Sequence, residues 1–243
     1  MRTATLDQRT APESAQTATA PIPASNHSTS PPVVRPDSSV RRTARIVGVL
    51  FLAGFLAYGV GSLIATGIVR SGDRSGSTAL FVTGAALMLL NSAFVIGIGV
   101  LMFPILRPHN KAIAAGYLGT RIFEGVVLAI GVVSLIVVTD SSSAIDANSA
   151  FYNVAEAGLG IGSLFFCALL FRTGLVPRIL AVWGFIGYAC FAGGTLLDLF
   201  GVAGAGMVGA IPGGLFELTF GIWLIARGFA SPASHDNPVG APR

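Results

Sequence analysis

Six long apolar runs dominate this chain and leave it few ways to fold. They lie at about Ile46–Val69, Ala79–Leu106, Ile113–Val138, Phe151–Phe171, Val176–Phe200 and Gly209–Phe229. Each is near or above the ~20 residues a helix needs to cross ~30 Å of hydrocarbon. The runs are continuous rather than alternating, which excludes a strand barrel. In lipid every backbone N–H and C=O must be satisfied within its own segment, so each run is expected to be a helix. Composition agrees: of 243 residues, 53% are hydrophobic and only 11% charged, against about 25% charged in soluble domains. The sequence therefore predicts an all-α, polytopic membrane protein, a bundle of six transmembrane helices.

The tails differ from this middle. Residues 1–42 are rich in Pro, Ser and Thr and hold no apolar run. They are expected to be a disordered tail, because they cannot bury enough surface to order themselves. The first hydrophobic stretch comes too late for a cleavable signal peptide. Residues 230–243 read as a second disordered tail, which leaves 43–229 as the transmembrane domain.

Orientation follows from the loops. With the N-terminus inside, the inner side carries Arg41, Arg42, Arg45, Arg107, Lys111, Arg172, Arg178 and Arg227, and the outer side only Arg70 and Arg74. That bias places both termini in the cytoplasm of a bacterial cell, with the chain in the cytoplasmic membrane. Asp140 to Ala150 is then an outer loop. Pro177 and Pro212 are expected to open the fifth and sixth helices, and Pro104 to sit in the last turn of the second.

Several function classes lose their footing. The net charge of +4 comes from loops and tails, with no basic stripe interleaved with aromatics, so nucleic acid is not an expected partner. Cys167 and Cys190 lie in apolar runs without a CxxC, and read as small core residues. The histidines, His27, His109 and His235, all lie outside the spans. No HExxH or GxxxxGK[ST] occurs. Gly160-Ile161-Gly162-Ser163 looks like a glycine-serine site, but without a base it reads as glycine packing. No enzyme, metal or cofactor is expected.

What remains is polar chemistry inside the apolar runs. Arg121 and Glu124 sit three residues apart, on one helix face. By helix rise Glu124 lies roughly 18 Å from the inner edge and roughly 12 Å from the outer one. Glu217 is also roughly 12 Å deep, Glu156 shallower at about 7 Å, and Asp198 close to the outer interface. Tyr58 and Asn91 fall at middle depths, where interhelical hydrogen bonds are expected. Small residues mark the acidic faces: Gly209, Gly213, Glu217 and Gly221 share one stripe, and Gly184, Gly187, Gly194 and Asp198 another. Glu156 shares a face with Asn153, Gly160, Ser163 and Cys167.

Arg121 is the sole base within the spans, against Glu124, Glu156 and Glu217. Acids left over must be protonated, hydrated from outside or bound to a cation. The candidate binding residues are therefore Arg121, Glu124, Glu156, Glu217, Asn91 and Tyr58, with Glu156 and Asp198 expected at a solvated rim. Two readings stand side by side. One is a proton- or cation-linked small-solute transporter or sensor. The other is a non-catalytic protein in which the cluster only staples helices. Beyond the lipid bilayer, a small solute or cation is the expected partner, and the small-residue stripes would also permit a homo-oligomer.

With these motifs in hand, the chain resembles the bacterial integral membrane family catalogued as domain of unknown function 4386. The likeness rests on Thr43-Ala44-Arg45-Ile46-Val47-Gly48, Arg121-Ile122-Phe123-Glu124 and Phe171-Arg172-Thr173-Gly174-Leu175-Val176-Pro177-Arg178. It continues through Phe216-Glu217-Leu218 and Trp223-Leu224-Ile225-Ala226-Arg227-Gly228-Phe229. It covers all but the two tails. The resemblance implies a multi-span helical protein without an established activity, so it assigns no site residues.

Overall fold

The computed structural model describes residues 38–230. Of the expected tails 1–42 and 230–243, residues 1–37 and 231–243 lie outside the described residues. Six helices follow in order: α1 Ser38–Ser71, α2 Thr78–Leu106, α3 Lys111–Val137, α4 Ser141–Thr173, α5 Arg178–Leu199 and α6 Ala205–Ala226. All six are long and apolar enough to cross a membrane, and no strand occurs among the described residues. This is an all-α, multi-pass transmembrane bundle.

Each helix packs on its neighbours in sequence, and α6 closes the ring against α1. Glycine makes the closure. A Cβ on Gly48 of α1 would sit 2.5 Å from the Gly221 carbonyl oxygen of α6. The α5 and α6 stripes meet in the same way, Gly187 against Gly213 and Gly194 against Gly209. Backbones that close gain dispersion contacts that larger side chains would prevent.

The helix ends carry local signals. Asn110 caps α3 by accepting from the Ile113 amide at 3.0 Å. Asp140 caps α4 by accepting from the Ser143 amide at 2.8 Å and from the Ser142 hydroxyl. These bonds, to an otherwise solvated carboxylate, hold its pKa down to about 2. Gly174 ends α4 in the left-handed region at φ 66°, where a Cβ would be strained. The Ala230 amide then donates to the Leu175 carbonyl, tying the chain after α6 to the α4–α5 turn.

Four sequence expectations need correction. The segment read as an outer loop, Asp140 to Ala150, is mostly the first turns of α4, which begins at Ser141. Its Ser, Asp and Asn residues hid it from hydropathy, while Ala144 and Asn148 bury one face. Residues 38–42, assigned to the tail, are the first turns of α1. Pro212 does not open α6. The helix starts seven residues earlier, at Ala205, where the Gly206 amide donates to the Asp198 carboxylate at 3.1 Å. Cys167 is buried as expected, but Cys190 is exposed on the outside of α5.

Two apolar clusters flank the middle of the bundle. At the end bearing Arg41, Arg107, Arg172 and Arg227, hereafter the basic end, the larger cluster contains Val47, Met102, Tyr117, Phe166, Tyr188, Phe216 and Phe220. Towards the opposite end Ala65, Val69, Met88, Val132 and Leu135 form a second cluster between α1, α2, α3 and α4. Between them lies the polar layer.

Candidate functional site

The polar layer is built around Arg121, whose side chain is 1% exposed. Glycine makes room for it: a Cβ on Gly99 of α2 would lie 2.7 Å from the Arg121 Cβ. Its Nε donates to the Tyr117 hydroxyl at 3.0 Å, one helical turn back. Its Nη1 donates to both oxygens of Glu124, at 2.9 and 3.3 Å. Its Nη2 reaches the Tyr188 hydroxyl of α5 and Glu217 Oε1 of α6, each at 3.4 Å. Tyr188 in turn donates to Glu217 Oε1 at 2.8 Å. All three guanidinium nitrogens thus donate to oxygen, through five contacts in all. The cationic carbon also lies 5.1 Å from the Phe51 ring centroid and 5.4 Å from that of Tyr117.

This layer closes towards the basic end. Phe166 stacks on Tyr117 with centroids 4.3 Å apart, and Phe216 stacks on Phe220 at 5.4 Å. Edge contacts from Phe51, Phe166 and Tyr188 complete the aromatic floor.

On the other side of the guanidinium is a cavity of about 260 Å³. All six residues singled out from the sequence line it: Tyr58, Asn91, Arg121, Glu124, Glu156 and Glu217. Phe51, Phe55, Val95, Ile98 and Phe191 supply apolar wall. The sequence grouping is thus correct in membership, but two details change. Glu156 is not at a rim. With α4 starting at Ser141 it lies about 22 Å along the helix, and it is only 7% exposed. Nor do Asn91 and Tyr58 make interhelical hydrogen bonds. Asn91 is 6% exposed and faces the cavity beside Gly54 without a hydrogen-bond partner among the described residues. Tyr58 instead stacks on Tyr152 of α4, centroids 5.3 Å apart and planes 24° from parallel.

Glu156 makes no hydrogen bond or ion pair with any described residue. One base, two buried acids and the half-buried Glu217 therefore share the layer. Glu124 and Glu217 divide the base, and Glu156 has nothing but the cavity.

A second crevice, about 480 Å³, begins where the first cavity ends. Both are lined by Tyr58, Tyr152 and Ala210. The crevice continues past Ser62, Asn148 and Asn153 to Arg70 and Asp198, at the end of the bundle opposite the basic one. Asp198 is at that rim, as its depth implied. The stacked tyrosine pair stands between the two spaces.

Three participants were missed in the sequence: Tyr117, Tyr188 and Tyr152. Tyr117 and Tyr152 each stand four residues before a buried charge, Arg121 and Glu156, and that spacing was a usable signal. Tyr188 is 67 residues from Arg121 and carries no such signal.

Comparison with known proteins places the chain in a family. It belongs to the domain of unknown function family DUF4386, whose profile matches residues 46–228. No curated protein and no solved structure matches it.

Proposed function

We propose that this member of the DUF4386 family is a proton- or cation-linked small-solute transporter or sensor, with the acid-rich cavity as its binding site. The observation that carries this reading is Glu156: a carboxyl buried to the depth of the bundle's middle, unpartnered, facing a cavity. A carboxylate kept there without a partner costs free energy, and such residues mark ion and substrate paths more often than packing. The groups facing it are Tyr58 from α1, Arg121 and Glu124 from α3, Tyr152 from its own helix and Glu217 from α6. A proton or a cation on Glu156 lowers the excess of negative charge in this layer.

Access supports the same reading. The cavity is floored by aromatics on the basic side and adjoins a polar crevice on the other. A site near mid-depth that adjoins a polar crevice on one side is what one state of an alternating-access protein presents. We take the basic end to be cytoplasmic, by the positive-inside bias, in a bacterial cytoplasmic membrane. The activity we propose is not enzymic. Ser163, the serine of the glycine-serine stretch, is wholly buried, and no base among the described residues bonds to it.

The helix-staple reading has its own support in part of the site. Arg121 joins α3 to α5 and α6 with all three of its nitrogens bonded to oxygen. We assign it, Glu124 and Tyr188 to the staple, and Glu156 to ligand or ion, with Glu217 shared between them. The test is flux in reconstituted vesicles under an imposed pH gradient, read with an internal pH dye. Wild type should dissipate the gradient faster than empty vesicles, and Glu156→Gln and Glu217→Gln should not. Equal rates for wild type and Glu156→Gln, with both proteins folded, would overturn the transport reading.

A further inference from the structure

We propose that the cavity binds a small organic monoamine cation, its ammonium on Glu156 and its apolar body against the Tyr58–Tyr152 pair. This rests on the cavity being a binding site, and it names the ligand class.

Charge decides the sign of the ligand. Each nitrogen of Arg121 already donates to oxygen, and its charge is shared by Glu124 and Glu217, so an anion finds no unpaired cationic group in the cavity. A cation finds Glu156, with Glu217 also on the cavity wall at 17% side-chain exposure. Asn91 is a second buried polar side chain without a partner, from a different helix, and its amide oxygen can accept from an N–H.

The walls decide between an organic and an inorganic cation. A hard metal ion needs six or more oxygens around it, or a compact octahedron. Among the described residues no three His, Cys, Asp or Glu side chains converge as a metal set. The cavity instead sets the unpaired Glu156 carboxylate beside aromatic and aliphatic surface from Tyr58, Tyr152, Phe55 and Phe191. That division fits an amphiphilic ammonium, whose charge pairs with the acid and whose body lies on aromatic faces. Size limits it further: about 260 Å³ is below the ~300 Å³ at which drug-sized sites begin.

The experiment is equilibrium binding of radiolabelled 2-phenylethylammonium to the full chain in detergent. Unlabelled 2-phenylethanol and 3-phenylpropionate serve as neutral and anionic competitors of like shape. Saturable binding is expected, displaced by excess amine and by neither competitor. Glu156→Gln should weaken it at least tenfold while the variant elutes and melts like wild type. Tyr152→Leu should weaken it several-fold, and Tyr152→Phe, which keeps the ring, should not. No saturable binding to wild type, equal displacement by the carboxylate, or unchanged affinity in Glu156→Gln would overturn the proposal. Flux that depends on Glu156 without amine binding rejects this ligand class and leaves the transport reading standing. Amine binding without flux does the reverse, and favours a sensor.

Discussion

The two sides of the central cavity hold the same kind of residue in opposite states. On one side Glu124 and Glu217 share Arg121, with two tyrosine hydroxyls completing the guanidinium. On the other, Glu156 and Asn91 are buried as deeply and touch no partner. A satisfied polar network fixes helix positions, and an unsatisfied one costs stability. The difference separates what holds this bundle together from what it holds ready for a ligand.

Removing the base breaks the comparison most severely. Arg121→Met leaves Glu124 buried and Glu217 half-buried without their cation, at a cost of about 3–5 kcal/mol. Little folded protein should survive a thermal-stability assay in detergent. A variant that melts like wild type would mean that the network is not a staple.

Tyr188→Phe is a milder cut on the same side. It removes one donor to Glu217 and one acceptor from Arg121, and should destabilise by about 1–3 kcal/mol. The melting point should fall clearly, and by less than for Arg121→Met. On the opposite side neither Glu156→Gln nor Asn91→Leu should lower stability, and Asn91→Leu should raise it by relieving an unpartnered buried group, since neither side chain has a partner to lose. Their effect should appear in flux or amine binding instead. A large stability loss in Glu156→Gln would show a bond that the static geometry lacks.

The smallest effect lies away from both sides. Asp140→Ala removes the cap of α4, and faster amide exchange is expected at Ser143 and Ala144, with flux unchanged. The pH dependence has a definite sign. The folded carboxyl titrates at about 2, below its ordinary 3.8. The cap therefore contributes fully above the ordinary value, and its contribution is lost as pH falls through about 2. Exchange at the start of α4 should rise over that window in wild type and not in Asp140→Ala.

Much of this was legible in the sequence, for a physical reason: in lipid, hydropathy and helix are nearly the same signal. The runs at Ala79–Leu106 and Ile113–Val138 fall within two residues of α2 and α3 at each end. The reading failed where a helix runs past its apolar stretch. Residues 141–150 are polar on one face and capped by Asp140, and missing them placed Glu156 near the surface instead of in the middle. The membership of the site was legible because every buried charge in a span must point inward. Its division was not. Arg121 is three residues from Glu124, yet its reach to Tyr188 and Glu217 depends on α5 and α6 lying across from α3.

Carbodiimide labelling tests the division most directly, since the reagent adds to a protonated carboxyl in an apolar site and not to one held in an ion pair. The purified protein would be treated with N,N′-dicyclohexylcarbodiimide and the modified residue located by mass spectrometry. Modification at Glu156, with Glu124 untouched, is the predicted result. Modification at Glu124 with Glu156 silent would contradict the account.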